Sequence, residues 1–219
     1  MTDSGRMTIT FITGANKGLG YETARRLIEA GQTVLVGARD AERGQAAADR
    51  LGARFVPIDV ADDESVAQAA QDIKAHEGRI DILINNAGIL GSHAPAEQLS
   101  GPDALEIFNT NVAGIVRVTH AFVPLLRLSE HPAVVNVSSG MGSIALTHDP
   151  DRVESKPIAP LYTATKPRST VQRRRVVRGC DLNDPLMQVR RAVPAAAGPA
   201  PGGHLHGERS AGRNEGRVR

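Results

Sequence analysis

Short runs of β-branched and other apolar residues alternate along most of this chain with longer segments in which apolar positions recur every three or four residues. The first run, residues 9–12, leads through a glycine-rich turn into residues 21–30, a segment of helical period ended by Gly31. The pattern then repeats. Residues 33–38, 53–58, 80–84 and 133–137 read as strands, and residues 40–51, 62–76 and 103–128 as helices. Asp40 suits the N-cap of its helix, and the acids that open 62–76 suit the positive end of a helix dipole. In 103–128, Leu105, Phe108, Val112, Ile115, Val116 and Thr119 fall at helical spacing. The strands are apolar almost throughout, with Asp81 the exception in 80–84, so both faces of the sheet are covered. Strand–helix alternation with right-handed crossovers predicts an α/β fold, a doubly wound parallel sheet.

This order stops at Lys166. Residues 167–219 contain no Phe, Tyr, Trp or Lys, but carry 11 Arg and a Pro/Ala/Gly run at 194–203. Their composition is that of a disordered, low-complexity basic tail. Charge divides at the same place: residues 1–166 hold 15 Lys+Arg against 20 Asp+Glu, whereas the tail holds 11 against 4. Two segments of different character follow, an ordered 1–166 and a tail 167–219. Aromatic content of 3% with no Trp means that the core must come from Val, Ile, Leu and Ala. The single cysteine, Cys180, excludes an internal disulfide. No apolar run approaches a membrane span, and residues 1–6 lack the apolar stretch of a signal peptide, so a cytoplasmic protein is expected, with Met7 an alternative start.

The chemistry gathers at the predicted carboxyl ends of the strands, where open parallel sheets bind ligands. Gly14 permits a turn closed to side chains. Gly18 allows close approach of a pyrophosphate, and Gly20 close packing of helix on strand. The N–H groups at the helix start then face the anion. Arg39, 19 residues after Gly20, stands where an acid would hold the 2′-hydroxyl of NAD, and suits a 2′-phosphate instead, with Lys17 a second positive charge. Asp59 can accept from an adenine amine. Asn85, Asn86, Ala87 and Gly88 end the fourth strand, and Ser138 and Ser139 the fifth. Tyr162 and Lys166 share a helix face, and an ammonium near a phenol favours its proton-releasing form, which makes Tyr162 an acid/base candidate. Each feature taken singly has a plainer reading: an ordinary glycine turn, a surface Arg, an Asn/Gly turn, a surface Tyr/Lys pair.

Taken in order, these pieces resemble the short-chain dehydrogenase/reductase family. The resemblance rests on Thr13-Gly14-x-x-x-Gly18-x-Gly20, Asn85-Asn86-Ala87-Gly88, Asn111 in Thr110-Asn111-Val112-Ala113-Gly114, Val137-Ser138-Ser139 and Tyr162-x-x-x-Lys166, and covers about residues 7–166. It implies a Rossmann-like dinucleotide-binding and catalytic domain, residues 1–166, and an oxidoreductase that moves a hydride between a nicotinamide cofactor and a carbonyl or alcohol. Tyr162 would exchange the substrate proton, Ser139 orient the carbonyl, Lys166 bind the nicotinamide ribose and favour the Tyr162 phenolate, and Asn111 hold a water of the proton relay. The cofactor would lie along Gly14, Asn16, Lys17, Gly18, Leu19 and Gly20, then Arg39, Asp59 and Val60, then Asn86, Ala87 and Gly88, ending at Tyr162 and Lys166. Asn16-Lys17 with Gly37-Ala38-Arg39-Asp40 look most like the NADP-preferring carbonyl reductases, so NADP(H) is the expected cofactor, with NAD(H) the alternative. Residues 140–161 would form a loop over the substrate.

After Lys166 the family pattern is absent. Pro167 disfavours helical geometry at Lys166 and would cost about 3 kcal/mol inside the helix. The expected further strands and helices are missing, which predicts a C-terminally incomplete domain and impaired turnover. A tail rich in Arg, Ala, Gly and Pro is also what GC-rich DNA encodes out of frame, so the tail reads as a frameshift product, or else as a genuine tail. Two rival functions follow: a catalytically dead nucleotide-binding remnant, or a basic-tail protein that binds polyanions. Nucleic acid is not the expected partner, because no aromatics interleave the arginines. His204 and His206 lack further ligands, so no metal is expected. Substrate identity and oligomeric state stay open.

Overall fold

The computed structural model describes residues 7–92, 94–155 and 159–169. In chain order these form β1 (Ile9–Thr13), α1 (Gly18–Glu29), β2 (Thr33–Ala38), α2 (Ala41–Leu51), β3 (Arg54–Pro57), α3 (Asp63–His76), β4 (Ile82–Asn85), α4 (Gly101–Phe108), a π-turn (Asn109–Ala113), α5 (Gly114–Leu126), β5 (Ala133–Asn136), a short α6 (Ile144–Thr147) and α7 (Pro160–Ser169). The strands pair in parallel in the order β3-β2-β1-β4-β5, with Ile9 beside Thr33 and Thr10 beside Ile82. The expected doubly wound, Rossmann-like sheet is therefore present. Among the described residues it ends at β5.

Helices cover both faces, which is why the strands are continuously apolar. One core layer joins Phe11, Leu35, Val56 and Leu83 to Val66 and Ile73 of α3 and Val118, Phe122 and Leu126 of α5. The other joins Ile12, Val34, Val36 and Ile84 to Ala24 of α1 and Ala48 of α2. With so few aromatic residues, the one stacked pair among the described residues, Phe11 and Phe122 with ring centroids 4.9 Å apart, sits at the middle of the first layer. Asp81, the polar exception before β4, lies at the amino end of the sheet. It accepts from the Ile9 N–H (2.8 Å), Ser129 Oγ (2.5 Å) and Arg79 Nε (3.1 Å), joining the starts of β1 and β4 to the turn before β5. Asp40, Asp62 and Ser100 cap α2, α3 and α4 through the N–H groups of Arg43, Ser65 and Asp103.

Two expectations are corrected. The helix expected over 103–128 begins at Gly101, is interrupted by the π-turn, and ends at Leu126. Ile107, Asn111 and Ile115, four residues apart, lie buried along one face across the π-turn, while Leu105 and Val116 are exposed. Pro167 does not stop the last helix, since α7 runs through Lys166 to Ser169. The Lys166 carbonyl accepts from Ser138 Oγ (3.2 Å), and neighbouring Thr165 is bonded to Asn111 Nδ2 (3.1 Å), so tertiary contacts outweigh the local penalty. The expectations for the tail, including Arg173, Arg174, Arg175, Cys180, His204 and His206, lie outside the described residues. No described helix is long and apolar enough to cross a membrane.

Candidate active site

Because all five strands are parallel, the segments that leave them share one rim. The turn after β1 carries two left-handed glycines, Gly14 (φ +67°) and Gly18 (φ +59°). They have different surroundings. A Cβ on Gly14 would lie 2.9 Å from Ala87 Cα, whereas one on Gly18 would meet nothing within 4 Å. Gly20 is the most enclosed of the three: its Cβ would lie 2.5 Å from Asn86 Nδ2 and 2.6 Å from the Gly14 carbonyl oxygen. The turn is fastened from three directions. Ala15 N–H donates to the Gly37 carbonyl (2.9 Å), and Asn86 Nδ2 donates to the carbonyls of Thr13 (2.9 Å) and Gly14 (3.0 Å). Thr13 Oγ accepts from the N–H groups of both Asn86 and Ala87 (3.1 Å each).

The start of α1 differs from those of α2, α3 and α4. Its N-cap residue, Lys17, makes no side-chain capping bond, and the first turn holds no acid. Uncapped N–H groups at a helix start, with open space above Gly18, leave room and donors for an anion. Lys17, Gly18 and Leu19 are exposed there, Asn16 is half-buried, and Arg39 stands exposed just after β2. These features fit a dinucleotide: donors for a pyrophosphate, a glycine open to close approach, and cationic groups for a further phosphate. At the next strand end, Asp59 closes a local turn, its Oδ1 accepting from Ala61 N–H (2.9 Å) and its own N–H donating to Ser65 Oγ (2.8 Å), while Val60 is buried.

The second half of the site is built on the π-turn, a helix defect common at functional sites. Asn111 is buried. Its Oδ1 accepts from Ile89 N–H (2.9 Å), and its Nδ2 donates to the Ile89 carbonyl (2.9 Å) and to Thr165 Oγ (3.1 Å). Both amide N–H groups are thus committed to holding the loop following Gly88 and α7 together. Thr165 Oγ donates in turn to the Tyr162 carbonyl (2.8 Å). Lys166, only 6% exposed, places Nζ 4.9 Å from the centroid of the Tyr162 ring, over its face. Burial pushes the Lys166 ammonium below the ordinary lysine pKa. A Cβ on Gly88 would crowd Asn111 Oδ1 at 3.2 Å and meet Lys166 Nζ only at ordinary contact distance, 3.6 Å, so it is Asn111 that the bare glycine accommodates. Ser139 caps the short turn Gly140–Gly142, its Oγ accepting from Met141 N–H (3.2 Å), and α7 packs on that turn. Asn111, Ser139, Tyr162 and Lys166 therefore belong to three elements packed on one another.

The sequence of residues 8–166 matches the profile of the short chain dehydrogenase family. The chain belongs to that family. Short-chain dehydrogenase anuI of Penicillium roqueforti is 38% identical over 169 residues, which is 72% of this chain and 67% of that protein. The (+)-neomenthol dehydrogenase of Arabidopsis thaliana is 36% identical over 61% of this chain and 54% of its own length. A gluconate 5-dehydrogenase from Burkholderia cenocepacia, solved in complex with NADP and tartrate, superposes with a TM-score of 0.64 at 29% identity, over 74% of this chain and 61% of that one. The chain thus spans between about half and two thirds of the length of these short chain dehydrogenases. Short chain dehydrogenases use nicotinamide dinucleotides, and the glycine turn and α1 are the parts of this chain that fit one.

Sequence reasoning missed three side chains at the site. Thr13 and Thr165 stand inside quoted motifs, but which groups they bond is set by residues more than fifty positions away. Arg117, which reaches the loop after β3, carries no local signal at all.

Proposed function

We propose that this chain forms the cofactor-binding and catalytic part of an oxidoreductase that moves a hydride between NADP(H) and a small carbonyl or alcohol. The observation that carries this reading is the buried Lys166 ammonium set over the Tyr162 ring, on a helix tied to Asn111 through Thr165. When bound, the nicotinamide cofactor supplies or takes the hydride. The chain's own residues do the rest. The open N-terminus of α1 binds the pyrophosphate, and Arg39 with Lys17 favours a 2′-phosphate. Asp59 and Val60 meet the adenine. The Ser139 hydroxyl donates to the carbonyl oxygen of the substrate, and the Tyr162 hydroxyl gives that oxygen its proton during reduction, taking it back during oxidation. Desolvation makes the Lys166 proton easier to release than that of an exposed lysine, which suits a group that resupplies Tyr162.

Leu90, Ile144 and Val153 expose apolar side chains on the segments flanking this rim. Together with a relative named for neomenthol, they favour an alicyclic ketone or alcohol as the first substrate to try. The test is NADPH-dependent reduction of a panel of aldehydes and alicyclic ketones by the chain and by Tyr162→Phe. The substitution should lower turnover at least about a hundredfold while leaving the NADPH dissociation constant within about twofold. Turnover retained by Tyr162→Phe would move the acid to another residue.

A further inference from the structure

The loop after β3 and the π-turn are joined by contacts that hydride transfer does not itself require. Arg117, one turn into α5, spreads its guanidinium over three acceptors. It donates to the Val60 carbonyl (2.7 Å), to Asp63 Oδ1 (2.5 Å) and to Asn109 Oδ1 (3.2 Å). Asn109, the first residue of the π-turn, returns a bond from Nδ2 to the Ala61 carbonyl (3.2 Å). Beside them α5 touches the same loop directly: a Cβ on Gly114 would lie 3.0 Å from the Val60 carbonyl oxygen. The Arg117 side chain is 17% exposed, whereas that of Asp63 is 86% exposed. The ion pair is therefore screened and weak, and the charge-assisted bond to the Val60 carbonyl is the contact that matters. The loop's own bonds close Asp59 onto Ala61 and Ser65. They shape the loop; its position over the sheet is also set by the Ile58 N–H bond to the Ala38 carbonyl (3.0 Å) and the buried Val60 side chain, and Arg117 and Asn109 add the tie to the π-turn.

We infer that Arg117, helped by Asn109, is a positioning residue for the adenosine end of the cofactor. It seats the Asp59–Val60 backbone against the π-turn that also carries Asn111, so that one short turn sets both ends of the site. The inference rests on the assignment of Asp59 and Val60 to the adenine. Arg117 and Asn109 bond the loop's backbone carbonyls while the Val60 side chain stays anchored in the core, so adenosine affinity and global stability are separable.

The experiment is isothermal titration of 2′,5′-ADP and NADPH into the full chain and its variants, with urea unfolding alongside. Arg117→Met should weaken both ligands about tenfold, the loss of roughly one charge-assisted hydrogen bond. Arg117→Lys should recover part of this, since an ammonium can reach only one of the three acceptors. Asn109→Ala, at an exposed position and milder, should weaken both ligands about threefold, and keeps the test open if Arg117→Met fails to fold. Arg54→Met serves as the stability control. It breaks bonds to Glu77 (2.7 and 2.6 Å) and Asp72 (2.6 Å) at the far end of β3, and should lower stability without changing either dissociation constant. Arg117 and Asn109 variants that lose stability yet bind 2′,5′-ADP as the unmutated chain does would overturn the inference. Failure of the unmutated chain to bind either ligand would overturn the cofactor reading itself, and the inference with it.

Discussion

Substituting alanine for Gly20 and for Gly18 should separate the two functions of the glycine turn. At Gly20 the added Cβ would sit 2.5 Å from Asn86 Nδ2, 2.6 Å from the Gly14 carbonyl oxygen and 3.0 Å from Ala15 Cα. None of these neighbours yields easily. Asn86 Nδ2 is held by the Thr13 and Gly14 carbonyls at 2.9 and 3.0 Å, and Gly14 is itself in the left-handed region. Moving the amide aside forfeits two bonds at about 1 kcal/mol each, and shifting the backbone adds about 1 kcal/mol of overpacking strain. Alanine returns about 1 kcal/mol of helix propensity, so Gly20→Ala should cost about 2 kcal/mol net. Gly18→Ala meets no neighbour but keeps φ at +59°, where alanine gains no helix propensity, so it costs about 1–2 kcal/mol. Its methyl would project into the space above the uncapped N-terminus of α1. Urea unfolding and NADPH titration are the assays. Gly20→Ala should lose about 2 kcal/mol of stability, while Gly18→Ala should lose about 1–2 kcal/mol of stability and, in addition, at least tenfold in NADPH affinity. A Gly20→Ala protein within about 0.5 kcal/mol of the unmutated one, or a Gly18→Ala protein that binds NADPH normally, would refute the reasoning.

Two further outcomes are expected. Arg39→Ala should weaken NADPH by about 1.5–3 kcal/mol, the value of a hydrogen bond to a charged group, and leave NADH unchanged; equal or tighter NADH binding by the unmutated chain would remove Arg39 from that role. Asp81→Asn should destabilise the fold by about 2 kcal/mol at neutral pH, since one oxygen of the three-bond junction is replaced by a donor. Burial pushes the Asp81 carboxyl up, but the bonds from Ser129, the Ile9 N–H and Arg79 outweigh it and hold it below the ordinary value of 3.8. A depressed carboxyl stabilises the fold above its unfolded pKa and loses that contribution as pH falls through the folded one. The gap between the two proteins should thus be full near neutrality and close below 3.8 in acid denaturation curves. A gap independent of pH would mean that the ionised carboxylate is not what Asp81 contributes.

The strands were legible because a sheet covered on both faces demands unbroken apolar runs, and only buried strands of Val, Ile and Leu satisfy that here. The N-caps Asp40 and Asp62 were legible for a local reason: a carboxylate accepts from an N–H three residues on. The π-turn was not legible. Its signature is that Ile107, Asn111 and Ile115 stay on one face, which a reader of period 3.6 assigns to an ordinary helix with a drifting stripe. Pro167 misled for the opposite reason. A local rule was applied at a place where Ser138 and Asn111, far away in sequence, hold the backbone at Lys166 and Thr165. The candidate site residues stand in motifs visible in the sequence, but the bonds that tie them together are not visible there. Asn86, expected at the cofactor, spends its amide on the carbonyls of the glycine turn.

The uncapped start of α1 has a practical consequence. α2, α3 and α4 carry their own side-chain acceptors, whereas α1 leaves its first N–H groups to solvent or a ligand. An anion bound there would link the stability of α1 by mass action to anion concentration. Phosphate or sulfate in a buffer is expected to compete there, and melting temperatures and cofactor affinities measured in phosphate and in a bulky organic buffer should then differ; equal values in the two buffers would show that no small anion occupies this helix start. Dissociation constants for nucleotides are comparable between preparations only when the small anions they displace are held at the same concentration.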